Sequence, residues 1–329
     1  MLLDLGHEVV GLDSGLFDGC DFGSFSEVPG LRLDLRDVEV EHLMGFDAVM
    51  HLAALSNDPL GNLDASLTYD INHLASVRLA RLAKQAGVKR FIFSSSCSLY
   101  GAAGDTFLNE TAGFNPVTAY GESKVLVERD VRPLADPEFS PTFLRNATAY
   151  GVSPRLRGDL VVNNLVGYAH TTGEVLIKSD GTPWRPLVHL RDIAAAFIAV
   201  LHAPRDLVHN QSFNVGSTLE NYRISEVADI VREVVPGSRI IYAADGGPDL
   251  RCYRVDCGKI GRLLPEFKPR WTVRQGVEEL YAAYKANGLT VDDLEGSRYI
   301  RLARIRELAA DARIDASLRF RETAPAVLA

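Results

Sequence analysis

The sequence predicts an α/β protein built on a doubly wound parallel sheet, and two observations predict it. Over the first two-thirds of the 329 residues, short β-branched runs alternate with longer stretches of helical periodicity, the pattern of strands joined by covering helices. Between residues 64 and 86, moreover, Leu67, Ile71, Leu74, Leu79 and Leu82 recur at helical spacing, so one crossover helix is visible by itself.

The elements follow in order. Candidate strands are residues 7–13, 31–35, 48–52, 90–94 and 142–145, with Gly87 as the stop of the 64–86 helix. A second long helix is predicted over 119–132, halted by Pro133. After Tyr150 the pattern loosens into shorter segments rich in Pro, Gly and Arg, which read as a substrate-binding region. Residues 192–202 are strongly apolar and helical, and residues 212–215 return a strand to the main sheet, so the two parts interleave. An amphipathic helix is predicted over 298–310.

Composition narrows the function classes. Hydrophobic residues make up 47% and charged residues 24%, near the average for globular proteins, and no apolar run approaches the roughly 18 residues needed to span a bilayer. Residues 1–8 hold no basic segment followed by an apolar stretch, so the expectation is a soluble, cytoplasmic protein without membrane contact. Cys20, Cys97, Cys252 and Cys257 lack CxxC spacing and nearby histidine pairs, which predicts free thiols and no metal site. The net charge of −8 argues against a nucleic-acid partner, so an anionic substrate would need a local arginine cluster.

A dinucleotide-binding fold opens with a strand, a glycine-rich turn and a helix whose N-terminus holds the pyrophosphate. Here the chain begins MLLDLGHEVVGLD, which reads as the end of that helix followed by the second strand. The first strand and glycine loop are not in the sequence; either the start lies downstream of the true one, or part of a cofactor site has been lost. Asp13, closing the run EVVGLD, sits where a carboxylate accepts the adenosine ribose hydroxyls, which favours NAD over NADP; alone it reads equally as a solvated loop residue.

The strongest chemical signal is FIFSSSCSLYG (91–101) followed by AYGESK (119–124). Tyr120 and Lys124 are four apart and share one helix face, the ammonium near the phenol. A free tyrosine has a pKa of about 10, and making it a base near neutrality takes about three units, roughly 4 kcal/mol. One cation about 4 Å away at an effective dielectric of about 20 contributes on the order of 4 kcal/mol before desolvation. Ser96, at the end of the preceding strand, would share a hydrogen bond with the same substrate hydroxyl. A bare YxxxK is common by chance in helices; the serine-rich strand end upstream makes it specific.

With those residues in view, the chain resembles the extended short-chain dehydrogenases, and within them the NAD-dependent nucleotide-sugar epimerases and dehydratases. The resemblance runs from GHEVVGLD through LDLRD (33–37), MHLAA (50–54), YDIN (69–72), the two catalytic motifs, LRNATAYG (144–151) and DGTPWRPLVHLRD (180–192) to YRVDCGKI (253–260). It implies a Rossmann-like NAD-binding domain over 1–150, with 186–216 returning to it, and a mainly substrate-binding region over 151–329. It assigns the catalytic roles to Ser96, Tyr120 and Lys124. Asp34 and Leu35 resemble the adenine contacts, and Leu52, Ala53 and Ala54 the backbone wall beside the cofactor. Asn72 resembles the asparagine that braces the active-site region, and Ser94 and Ala147 fall, with Tyr120 and Lys124, against the cofactor. Read without the family, HLAA is a buried strand end and Asn72 a helix polar residue.

For the substrate, Arg185 matches the position that grips the nucleotide diphosphate, where a guanidinium suits phosphate oxygens. Arg251 lies in a segment resembling a second phosphate-binding region, although Gly246 or Gly247 replaces the arginine usual there. Thr148 stands where many relatives carry asparagine, implying an altered sugar pocket. His189 reads as a structural strand residue, and Arg155 and Arg157 as loop residues equally consistent with solvation. The resemblance implies oxidation at sugar C4 as the opening step. Dehydratases of the family place an acidic pair directly after the catalytic Ser or Thr, where this chain has Cys97 and Ser98, so epimerisation ranks first. Dehydration, decarboxylation and 4-keto reduction remain as alternatives on the same triad, and a non-catalytic NAD sensor or scaffold as an alternative of another class. A homodimer pairing its long helices across a two-fold axis is the expected assembly.

Overall fold

The computed structural model describes residues 1–24, 28–56, 58–61, 63–247 and 251–321. At its centre lies a four-stranded sheet of β3 (Ala48–His51), β4 (Arg90–Ser96), β6 (Ser140–Asn146) and β10 (Ser212–Val215), in the order β10-β6-β4-β3. Every pairing in it is parallel. The returning strand expected at 212–215 is β10, seated on β6 with Phe213 opposite Leu144.

Period-two alternation makes this sheet doubly wound. Phe91 and Phe93 of β4 and Phe143 of β6 join Val77, Ala80 and Ala83 of the helix Ala75–Gln85 and Val127 and Val131 of the helix Ala119–Val131. Ile92 and Leu144, the intervening residues, pack on the opposite face with Ala196, Phe197 and Val200 of the helix Leu190–His202. Each fully buried aromatic contributes on the order of 2–3 kcal/mol of transfer free energy, so both faces are strongly specified.

Two further strands, β1 (Gly11–Asp13) and β2 (Gly30–Arg32), pair in parallel with each other and stand apart from this sheet. The extended runs expected at 7–13 and 31–35 are therefore shorter in the structure: among the described residues, residues 7–10 form no ladder, and Leu35 begins a 3-10 turn capped by Asp34, whose carboxylate accepts from Arg36 N at 2.8 Å.

The crossover helix expected over 64–86 begins on the Asp64 cap, runs through Ala65–Thr68, widens to a π-helix over Tyr69–Leu74 and continues as Ala75–Gln85. Gly87, at φ +82, ends it in the left-handed conformation that side chains resist. The region after Tyr150 is more regular than its composition predicts. It holds the helices Val161–Thr172, Ile224–Val234 and Val273–Ala286, whose apolar faces meet in one core around Val166, Val231, Val277 and Tyr284. Around it lie a three-stranded sheet of β7 (Thr148–Tyr150), β9 (Trp184–His189) and β11 (Asn221–Arg223), and the parallel pair β8 (Glu174–Ser179) with β12 (Arg239–Gly247). β5 (Ala102–Leu108) pairs with β13 (Cys252–Val255). The helix expected from 298 spans Arg301–Ala310 and packs Ile305 and Leu308 against Leu16, Leu55 and Leu60. Among the described residues no helix is long and apolar enough to cross a membrane.

Candidate active site

The carboxyl ends of β3, β4 and β6 open into a cavity of about 1020 Å³, the side of a parallel sheet on which such folds bind ligands. Ser94, Ser96, Tyr120 and Ala147 line it, together with Leu52, Thr148, Arg185 and Arg251. Residues far apart in sequence are thus brought to one wall-lined space. Asp13, Asp34, Leu35, Ala53, Ala54, Asn72 and Lys124 are not among its lining residues.

Tyr120 and Lys124 are placed by the helix Ala119–Val131, which Thr118 caps by accepting from Gly121 N at 3.1 Å. Lys124 is buried beneath the cavity, its Nζ 5.5 Å from the Tyr120 ring centroid and 4.6 Å from that of Phe93. Nζ donates to Ser94 O at 2.7 Å. Burial pulls the Lys124 pKa down to about 7, with the carboxylate of Glu128 one turn along acting in the opposite sense. The backbone acceptor and the two ring faces favour the ammonium, so charge here depends on contacts aimed at it.

Ser96 ends β4 in extended conformation and caps the 3-10 turn Cys97–Tyr100. Its Oγ accepts from Ser98 N at 3.2 Å and from Ser98 Oγ at 2.9 Å. With its lone pairs engaged from behind, the Ser96 proton is the part left to donate. Ser98 is therefore an orienting partner that its sequence position alone did not reveal.

Asn72, in the π-helical turn, is buried and bridges two walls of the site. Its Oδ1 accepts from Leu55 N at 2.7 Å, and its Nδ2 donates to Leu55 O at 3.1 Å and to Ser123 Oγ at 3.4 Å. Ser123 in turn donates to Tyr120 O at 2.7 Å. The wide turn aims this side chain across the helix pair, a common use of π-helical insertions near functional sites.

Beneath the site Glu128 meets Arg145, also unforeseen from sequence. Burial works against the charge on Glu128, yet the Arg145 fork, Ser95 and Arg132 hold its carboxyl below the usual carboxylate range. Ser95 Oγ donates to Glu128 Oε1 at 2.7 Å, which ties the end of β4 to the helix Ala119–Val131.

On the cavity wall Arg185 is buried and donates to Trp184 O at 2.8 Å and to the Arg251 carbonyl. Arg157, left open by its sequence between a role and solvation, is a cavity residue held by Asp159 at 2.7 and 3.0 Å and by Ser56 at 2.9 Å. Arg155 pairs with Asp21 and Asp18. His189 is structural: it stacks on Trp271 at 4.0 Å and shares a hydrogen bond with Glu279 at 2.8 Å. Asp13 accepts from Gly15 N at 2.7 Å, and Asp34 is gripped by Arg36 at 2.9 and 2.7 Å. Leu35 is buried in the core beside the sheet.

Residues 1–216 match the NAD dependent epimerase/dehydratase family. The chain belongs to that family and is an enzyme of its NAD-dependent class. Among curated proteins it is 28% identical to the UDP-glucose 4-epimerase of Neisseria meningitidis serogroup A over 287 residues, covering 78% of this chain and 84% of the relative. It is likewise 28% identical to the UDP-glucose 4-epimerase of Bacillus subtilis over 312 residues, covering 85% and 89%. The solved structure of MoeE5 in complex with UDP-glucuronic acid and NAD superposes with a TM-score of 0.75 at 27% identity, over 87% of this chain and 93% of that one.

The residues at the carboxyl ends of β3, β4 and β6 fit the part of such a cofactor that would lie in the cavity. The cavity, of about 1020 Å³, lies at the upper end of the usual range for ligand sites, about 300–1000 Å³. Asn146 lines it, and its Oδ1 is a buried acceptor with no hydrogen-bond partner among the described residues. Leu52, Ser94, Tyr120 and Ala147 are the wall residues available to hold it.

Proposed function

We propose that the chain is a nucleotide-sugar 4-epimerase working through a transient 4-keto sugar. One observation carries the reading: Ser96, Tyr120 and Arg185 line a single cavity, with the Lys124 ammonium directly beneath the Tyr120 ring. NAD, when bound, supplies the acceptor and then the donor of the C4 hydride.

The chain's own residues do the rest. Arg185 anchors the diphosphate, a role its guanidinium suits, and leaves the sugar to turn within the cavity. Tyr120 takes the proton of the C4 hydroxyl as the hydride leaves, and gives it back after the keto sugar has presented its other face. Lys124 favours the phenolate by its charge, and Ser96 donates to the C4 oxygen throughout, steadying the ketone. Asp13 would accept the ribose hydroxyls at the adenosine end.

The dehydratase reading asks for acid and base groups at 97 and 98. Cys97 is wholly buried, its thiol 3.1 Å from Arg145 O, and burial pushes its pKa well up, so it transfers no proton near neutrality. This supports inversion over elimination. The test is incubation with UDP-glucose, UDP-galactose and UDP-glucuronic acid, with products resolved by NMR. Inversion at C4, lost in Tyr120→Phe, supports the proposal; a 4-keto-6-deoxy product or loss of carbon dioxide would replace it.

A further inference from the structure

A second cavity, of about 290 Å³, lies away from the catalytic one, between the end of the catalytic helix and the helix Gly258–Leu263. Arg132, Lys259 and Arg262 line it against a single carboxylate, Glu110. The positive charge there is not answered locally. Arg132 sits 3.1 Å from Glu128, but Glu128 is already held by Arg145, so two guanidiniums share one carboxylate. Lys259 donates to Gln211 Oε1 at 2.9 Å and Ser212 O at 2.8 Å, both neutral acceptors, and forms no ion pair among the described residues. Arg262 is exposed and likewise has no ion pair among them. Burial and the neighbouring Arg145, Arg132 and Arg262 draw the Lys259 pKa down, with Glu110 opposing, as expected of cations crowded together.

The same walls also present acceptors. Asn210 lines the cavity, and its Oδ1 is buried without a hydrogen-bond partner among the described residues. Glu110 accepts from Asn214 N at 2.7 Å, and burial raises its pKa. A ligand that satisfies this wall carries negative oxygens for the cations and a hydroxyl proton for an acceptor.

We propose that this cavity is a binding site for a small protonated oxyanion of the hydrogen phosphate class. The anionic oxygens meet Lys259 and Arg262, and the P–OH group donates to Asn210 Oδ1 or Glu110. Sulfate, equal in size but fully deprotonated at neutral pH, leaves the acceptors unpaired and is discriminated against.

The test is thermal denaturation and calorimetric titration at pH 7 with sodium phosphate, sodium sulfate and sodium chloride at matched ionic strength. The expected result is saturable stabilisation by phosphate, with sulfate weaker by about tenfold and chloride without effect. Arg262→Ala, an exposed change that leaves the fold intact, weakens phosphate by about tenfold, and Lys259→Met weakens it at least as much. No phosphate effect beyond chloride, equal affinity for sulfate, or an effect undiminished in Arg262→Ala would each overturn the proposal. None of these outcomes depends on turnover, so they stand apart from the epimerase reading.

Discussion

Glu128 of the helix Ala119–Val131 and Arg145 of β6 face each other wholly inside the protein, with Arg145 Nε 2.9 Å from Oε1 and Nη2 2.7 Å from Oε2. The pair locks the helix carrying Tyr120 and Lys124 to the strand that ends at Asn146. Arg145→Met leaves the carboxylate buried with only Ser95, Ser212 and the partly exposed Arg132, and should cost about 3–5 kcal/mol. Adding Glu128→Leu should recover most of that loss. Urea denaturation of the single and double variants measures both. A double variant as unstable as Arg145→Met alone would show that the pair matters by shape rather than charge.

The sheet was legible because strands buried on both faces must be nearly all apolar, as FIF in β4 and TFL in β6 are, and because the helix from Ala65 repeats Leu and Ile at helical spacing. The helix Val161–Thr172 was hidden by Asn163, Asn164 and His170; Asn163 is in fact buried, bonding Gly151 and the Arg157 carbonyl. Residues 7–10, read as the opening of a strand, form no ladder among the described residues. The Tyr120 and Lys124 pair is local in sequence and so readable. Glu128 with Arg145 and Arg157 with Ser56 are made only by the folded chain; Asn72 was singled out through the family resemblance, but its partners Leu55 and Ser123 are likewise set by the fold.

Lys124 is a cost to the fold. Its folded pKa, about 7, lies below the ordinary lysine value of about 10.5, so between those values the unfolded chain holds a proton that the folded one has lost. Wild-type stability should therefore rise with pH across that window. Lys124→Met removes the penalty: the variant should be more stable than wild type at pH 6 by a few kcal/mol, and the gap should shrink toward pH 10. Denaturation of the nucleotide-free protein across pH checks this. A wild type more stable than the variant at pH 6 would mean that the Ser94 carbonyl and the two rings outweigh desolvation.

Gly101 sits where the turn after Ser96 crosses the segment leading into the helix Ala119–Val131. It adopts φ +60, and a Cβ there would lie 1.7 Å from Asn115 O. Gly101→Ala should cost on the order of 3 kcal/mol or more, through left-handed strain and displacement of the backbone. Gly104→Ala, at φ +68 with nothing within 4 Å, carries the strain without the clash. Comparing their melting temperatures isolates the close approach; equal losses would remove it.

Ser98 offers the finest test of how the site is set. Its hydroxyl and its amide both donate to Ser96 Oγ, so Ser98→Ala removes one of two groups that turn the Ser96 proton toward the substrate oxygen. The amide remains, and Ser98 touches the fold's stability little. On the proposed reaction, kcat should fall about tenfold with KM and melting temperature nearly unchanged, while Ser96→Ala falls about a hundredfold or more. Ser98→Thr keeps the donor and should restore most of the rate. If Ser98→Ala turns over like wild type, or if Ser98→Thr is as slow as Ser98→Ala, the contact does not orient Ser96, and the donor steadying the C4 oxygen must be sought elsewhere in the cavity.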